Sequence, residues 1–129
     1  MGAAEFCVRI EGEADVTSAF HRARDDAMHE SGHGGYTGTI AEKHDLAVHR
    51  APDGLTGDDF ASLVALVEFD EEGVARFWKD ELQEQYDALS DSAKHAVKKA
   101  NRIHEDKFAP ALGIEVEPKV WVFIGWASM

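Results

Sequence analysis

The chain predicts an α+β fold: a small, mostly antiparallel sheet with helices on one face and an acidic helical segment inserted at about residues 56–101. Three observations carry this. Apolar and polar residues alternate near both ends of the chain, apolar residues recur at helical spacing through the middle, and Gly or Pro separates the two patterns. The 129 residues are read as a single domain, long enough to bury a core without disulfides.

The elements follow in order. Phe6, Val8 and Ile10 alternate with Cys7, Arg9 and Glu11, which predicts a first strand, with Cys7 as a buried thiol. Asp15 or Thr17 can cap a helix whose apolar face is Val16, Phe20, Ala23 and Ala27 and which stops at Gly32. Tyr36–Ala41 and Leu46–Arg50 read as short strands paired across the polar turn at Glu42–Asp45. Thr56-Gly57-Asp58-Asp59 opens a second helix carrying Phe60, Leu63, Val64 and Val67. Asp70 is expected to cap a third, with Val74, Phe77, Trp78, Leu82, Tyr86 and Leu89 as its apolar stripe. Ser90 caps a fourth, running to about Phe108, and Pro110 ends the helical region. Leu112, Ile114 and Val116 then alternate, Pro118-Lys119 turns the chain, and Val120–Ala127 is a nearly all-apolar strand, central in its sheet.

Charge limits the partners. Asp and Glu number 25 against 13 Lys and Arg, a formal net charge of -12, so the surface repels phosphate backbones and anionic membranes; neither nucleic acid nor membrane is expected as a partner. No window approaches the roughly 18 consecutive apolar residues of a membrane span. Charges at Glu5, Arg9 and Glu11 argue against a signal peptide, and a single cysteine fits a cytoplasmic setting. Acid excess with few lysines also suits a protein working in high intracellular salt, as in a halophile or its virus.

The stretch His29–Lys43 concentrates the candidate chemistry. His29-Glu30-Ser31-Gly32-His33 satisfies H-E-x-x-H, in which His29 and His33 would bind zinc and Glu30 would act as general base. Gly32 falls where the helix should stop, however, and His29 lies opposite the apolar face, so a solvated His29 and a helix-ending His33 are the simpler reading. A third ligand would have to come from Glu68, His49, His95 or His104, and nothing in the sequence selects among them. His95 and His104 are expected at surface or edge positions of the fourth helix. His33, Gly34, Gly35, Tyr36, Thr37 and Thr39, with Lys43, instead suit a loop that cradles a small anion with backbone amides, hydroxyls and an ammonium. The pattern matches neither established Gly-rich phosphate motif, and glycines serving only a tight turn are the plainer reading. Trp121 and Trp126 are expected in the core, with Trp126 also able to stack on a ring.

The residues Gly32–Lys43, Met1-Gly2-Ala3, Phe123-Ile124-Gly125-Trp126-Ala127-Ser128 and Asp106-Lys107-Phe108-Ala109-Pro110-Ala111 resemble segments of a family of small uncharacterised proteins common in tailed phages and some prokaryotes. The resemblance spans about residues 1–50 and 105–129. It implies a common fold and a viral or virus-derived gene, and carries no activity.

The function expected is therefore binding without turnover: a small anionic or nucleotide-like ligand held at His33–Lys43, with Asp106, Lys107 and Trp126 as neighbours and no cofactor, in a virus-related accessory protein of the cytoplasm, virion or infected cell. A zinc hydrolase through His29, Glu30 and His33 is the enzymatic alternative. An interaction module that contacts a protein partner or a second copy through the 70–108 helices is the third.

Overall fold

In the computed structural model, which describes residues 3–31 and 39–128, the long apolar strand at the end of the chain organises the sheet. This strand, β6 (Val120–Ser128), pairs antiparallel along its whole length with β1 (Ala3–Glu11), from Ala3 opposite Ser128 to Glu11 opposite Val120. On its other side it pairs antiparallel with β5 (Ala111–Glu117), and β5 in turn pairs in parallel with the short β2 (Leu46–Val48). The order is β1-β6-β5-β2, a mixed sheet in which only the last pairing is parallel, and the fold is α+β.

Alternation along β6 sends successive side chains to opposite faces, and each face has its own core. Trp121, Phe123 and Ala127 join Phe6 and Ile10 of β1 beneath α1 (Val16–Ser31), which contributes Ala19, Phe20 and Ala23. Asp15 starts that helix by accepting from the Ser18 amide at 3.0 Å. Val122 and Ile124 join Leu112 and Ile114 of β5 on the other face, under Phe60, Leu63 and Val64 of α2 (Gly57–Leu66). Two further helices follow, α3 (Asp80–Asp87) and α4 (Asp91–Glu105), and Val97 and Ala100 of α4 complete this second core. Fully burying such side chains stabilises the fold by about 1.5–3 kcal/mol each before entropy is counted. Helices thus cover both faces and not one, because β6 is apolar on both: α2 and α4 pack over one face and α1 over the other.

Three local expectations give way. Ile40–Glu42 is a 3-10 turn instead of a strand, because the Thr39 hydroxyl caps it by accepting from the Ala41 amide at 3.3 Å; residues 36–38 lie outside the described segment. Among the described residues β2 pairs with β5, in parallel. The helix expected from Asp70 is replaced by a hairpin of β3 (Glu68–Phe69) and β4 (Ala75–Arg76), followed by the short α3. The Asp70 carboxylate accepts from the Glu72 and Val74 amides, both at 2.9 Å, and Gly73 supplies the left-handed φ of +82° that reverses the chain. Val74 and Trp78 consequently lie on the surface. Cys7, expected to be buried, is exposed, since alternation along β1 turns it to the face opposite Phe6 and Ile10 and away from the core under α1. Among the described residues no helix is long and apolar enough to cross a membrane.

Candidate functional site

Lys43 begins the construction of a cleft. Its amide closes the 3-10 turn on the Ile40 carbonyl at 2.9 Å, which aims its side chain across to the loop after α4. There its ammonium donates to the carbonyl oxygens of Lys107 at 2.9 Å and Ala109 at 2.6 Å. The residue is only 4% exposed. Burial pushes its pKa below the usual lysine value, while the charge of Asp106 acts in the opposite sense.

Asp106 shapes the same loop. Its carboxylate accepts from the Phe108 amide at 2.8 Å and its carbonyl from the Ala109 amide at 3.0 Å, and Asp45 then accepts from the Ala111 amide at 3.0 Å. The result is a cleft of about 390 Å³ between Glu42–Asp45 and Lys107–Pro110. The Phe108 ring stands 82% exposed at its lip, with the Lys107 ammonium 5.1 Å from the ring centroid. His44 adds an exposed imidazole.

A second cavity, of about 620 Å³, opens where α4 passes the end of the sheet. Its walls include Glu5, Leu66, Glu68, Phe69, Trp78, Asn101, Glu105 and Trp126. Beside Glu5, Glu105 and Trp126, His104 is fully buried, with Nε2 3.0 Å from a Glu5 carboxylate oxygen and Nδ1 3.4 Å from one of Glu105. Neither contact is aligned as a hydrogen bond, so these are charge contacts only when the ring is protonated. The His104 ring meets Trp126 edge-on, with centroids 6.5 Å apart.

The sequence-derived candidates are thereby divided. Lys43, Asp106 and Lys107 come together at the first cleft, and Thr39 starts the turn leading into it. Trp126 is half-buried and lines the second cavity instead. His33, Gly34, Gly35, Tyr36 and Thr37 lie outside the described residues. His29 and Glu30 are exposed on the last turn of α1. Glu68 and His95 are exposed and His49 half-buried; among the described residues no group of three or more His, Cys, Asp or Glu is placed to hold a metal ion.

His104 corrects the expectation of a surface position. The signal was present: Val97, Ala100, Asn101 and His104 fall at i, i+3, i+4 and i+7, one face of a helix. No family model, curated protein or solved structure significantly matches the chain.

Proposed function

We propose that the protein binds a small anionic, ring-bearing ligand in the cleft between Glu42–Asp45 and Lys107–Pro110, and acts by binding and not by turnover. One observation carries the reading: the Lys43 ammonium ties together two segments more than sixty residues apart and so preforms a cleft of about 390 Å³. That volume lies within the range of small-molecule sites, roughly 300–1,000 Å³. Lys43 is a positioning residue here, because two of its donors are committed to carbonyls. The ligand-facing groups are the Lys107 ammonium, the His44 imidazole and the exposed Phe108 ring, a cation beside a stacking surface. Glu42 and Asp45 on the opposite lip favour a ligand whose negative group sits on the Lys107 side. A nucleotide has this combination of ring and acid group. The acid-rich composition suits an accessory protein of a salt-rich cell interior or of an infected cell.

The test is an amide-resolved NMR titration with AMP and, separately, inorganic phosphate. Saturable shifts confined to His44 and Lys107–Ala109, weakened about fivefold or more by Lys107→Ala and by Phe108→Ala, are expected for AMP. No shift at about 5 mM AMP, or the same affinity in both variants, would sink the proposal.

A further inference from the structure

The second cavity joins two chemistries that recognise the same kind of group. Glu5, Glu68 and Glu105 supply three carboxylates, while Trp78 and Trp126 supply indole rings, the side chains whose faces attract cations most strongly. Among the described residues no lysine, arginine or histidine lines it, although the buried His104 ring lies behind it, 3.0 Å from a Glu5 oxygen and 3.4 Å from one of Glu105, which leaves Glu68 as the carboxylate without a histidine neighbour. The aromatic walls already accept cations from the chain itself: the Lys79 ammonium lies 5.0 Å from the Trp78 ring centroid and that of Lys98 lies 5.7 Å from the Phe69 centroid.

We propose that this cavity receives an arginine or lysine side chain from a basic segment of a partner protein. Two features select a protein segment over a free cation. Trp78 is 76% exposed and Leu66 is also exposed, so the apolar surface continues out of the cavity and can cover flanking residues of an incoming chain. The formal net charge of -12 places further carboxylates around the cavity's surroundings, so a chain carrying several cations gains contacts that a single charge does not. Lys79 swings off Trp78 as the incoming cation takes its place, which its length and exposed position allow.

Fluorescence anisotropy with a labelled peptide of alternating arginine and glycine tests this, with the corresponding glutamate–glycine peptide and N-acetyl-arginine amide as comparisons. Saturable binding of the arginine peptide is expected, weakened about fivefold or more by Trp78→Ala and by Glu68→Gln, both exposed and both leaving the thermal melt unchanged. Equal affinity in Trp78→Ala would mean nonspecific attraction to an acidic surface and would overturn the proposal. So would N-acetyl-arginine amide binding as tightly as the peptide, which would mark a small-molecule site, or an absence of saturation at about 1 mM peptide.

Discussion

The Lys43 ammonium donates to the Ala109 carbonyl at 2.6 Å, and this single buried contact, with its companion on Lys107, holds the turn before β2 against the loop that leads into β5. Lys43→Met keeps the aliphatic stem and leaves both carbonyls without this donor. The unpaired acceptors cost about 1–3 kcal/mol, and release from burying a charge returns part of that, so a net loss of about 1–2 kcal/mol is expected in urea denaturation at pH 7. The pH dependence has a definite sign. With its folded pKa below 10.5, Lys43 holds fewer protons than the unfolded chain between those two values. Its unfavourable burial term is therefore fully present below the folded pKa and is relieved as pH rises toward 10.5. The stability gap between wild type and Lys43→Met should widen on going from pH 7 to pH 10, and a constant or shrinking gap would refute this.

The tie was legible only in half. That Lys43 lies near Asp106 and Lys107 agrees with their grouping from the sequence, but the direction of the ammonium could not be read there, since a lysine donates equally well to a phosphate or to two carbonyls. The fold shows the same division. Alternation placed Phe6, Ile10, Leu112 and Ile114 correctly inward, because side-chain direction in a strand is fixed by parity. Asp70 was misread because one carboxylate beside two free amides can start a helix or close a turn, and Gly73 decided for the turn. The docking of β2 on β5 depends on residues more than sixty positions apart and leaves no local pattern.

Gly57 should resist even the smallest substitution. Glycine at an ordinary helix position costs about 0.5–1 kcal/mol relative to alanine, so propensity alone would make Gly57→Ala stabilising. Here a Cβ would lie 2.5 Å from both the Glu115 carbonyl oxygen and the Val116 Cα, main-chain atoms that cannot rotate away. Separating α2 from β5 outweighs the gain, and a net loss of about 1–3 kcal/mol by thermal or urea denaturation is expected. Any increase in stability would show that α2 does not rest backbone on backbone against the sheet.

Asp70 makes the β3–β4 hairpin sensitive to acid. Amide hydrogen bonds from Val74 and Glu72, with the Arg76 guanidinium, hold its carboxyl below the usual aspartate value of 3.8. A depressed carboxyl pKa contributes stability that is present above 3.8 and lost as pH falls through the folded value. The protection factor of the Val74 amide, its exchange rate referred to the intrinsic rate at each pH, should fall across that window in wild type. In Asp70→Asn, which keeps an acceptor oxygen but cannot titrate, the step should vanish; its persistence would move the acid sensitivity elsewhere.

Asn101 caps one helix from another. The last carbonyls of α2 have no partner within that helix, and the Asn101 amide, buried on α4, donates to one of them, Val64, at 2.8 Å. Asn101→Leu keeps the branching at Cγ and is larger and more apolar, so a core judged by hydrophobicity alone would accept it. The Val64 carbonyl would then lose its side-chain donor at a largely buried position, and a loss of about 1–3 kcal/mol is expected in urea denaturation. Asn101→Asp keeps the shape but turns the donor into an acceptor carrying a charge that must be buried or neutralised, and should cost more than leucine. If aspartate proved the milder of the two, the site would have to admit water, and the Val64 contact would not be what joins α4 to the end of α2.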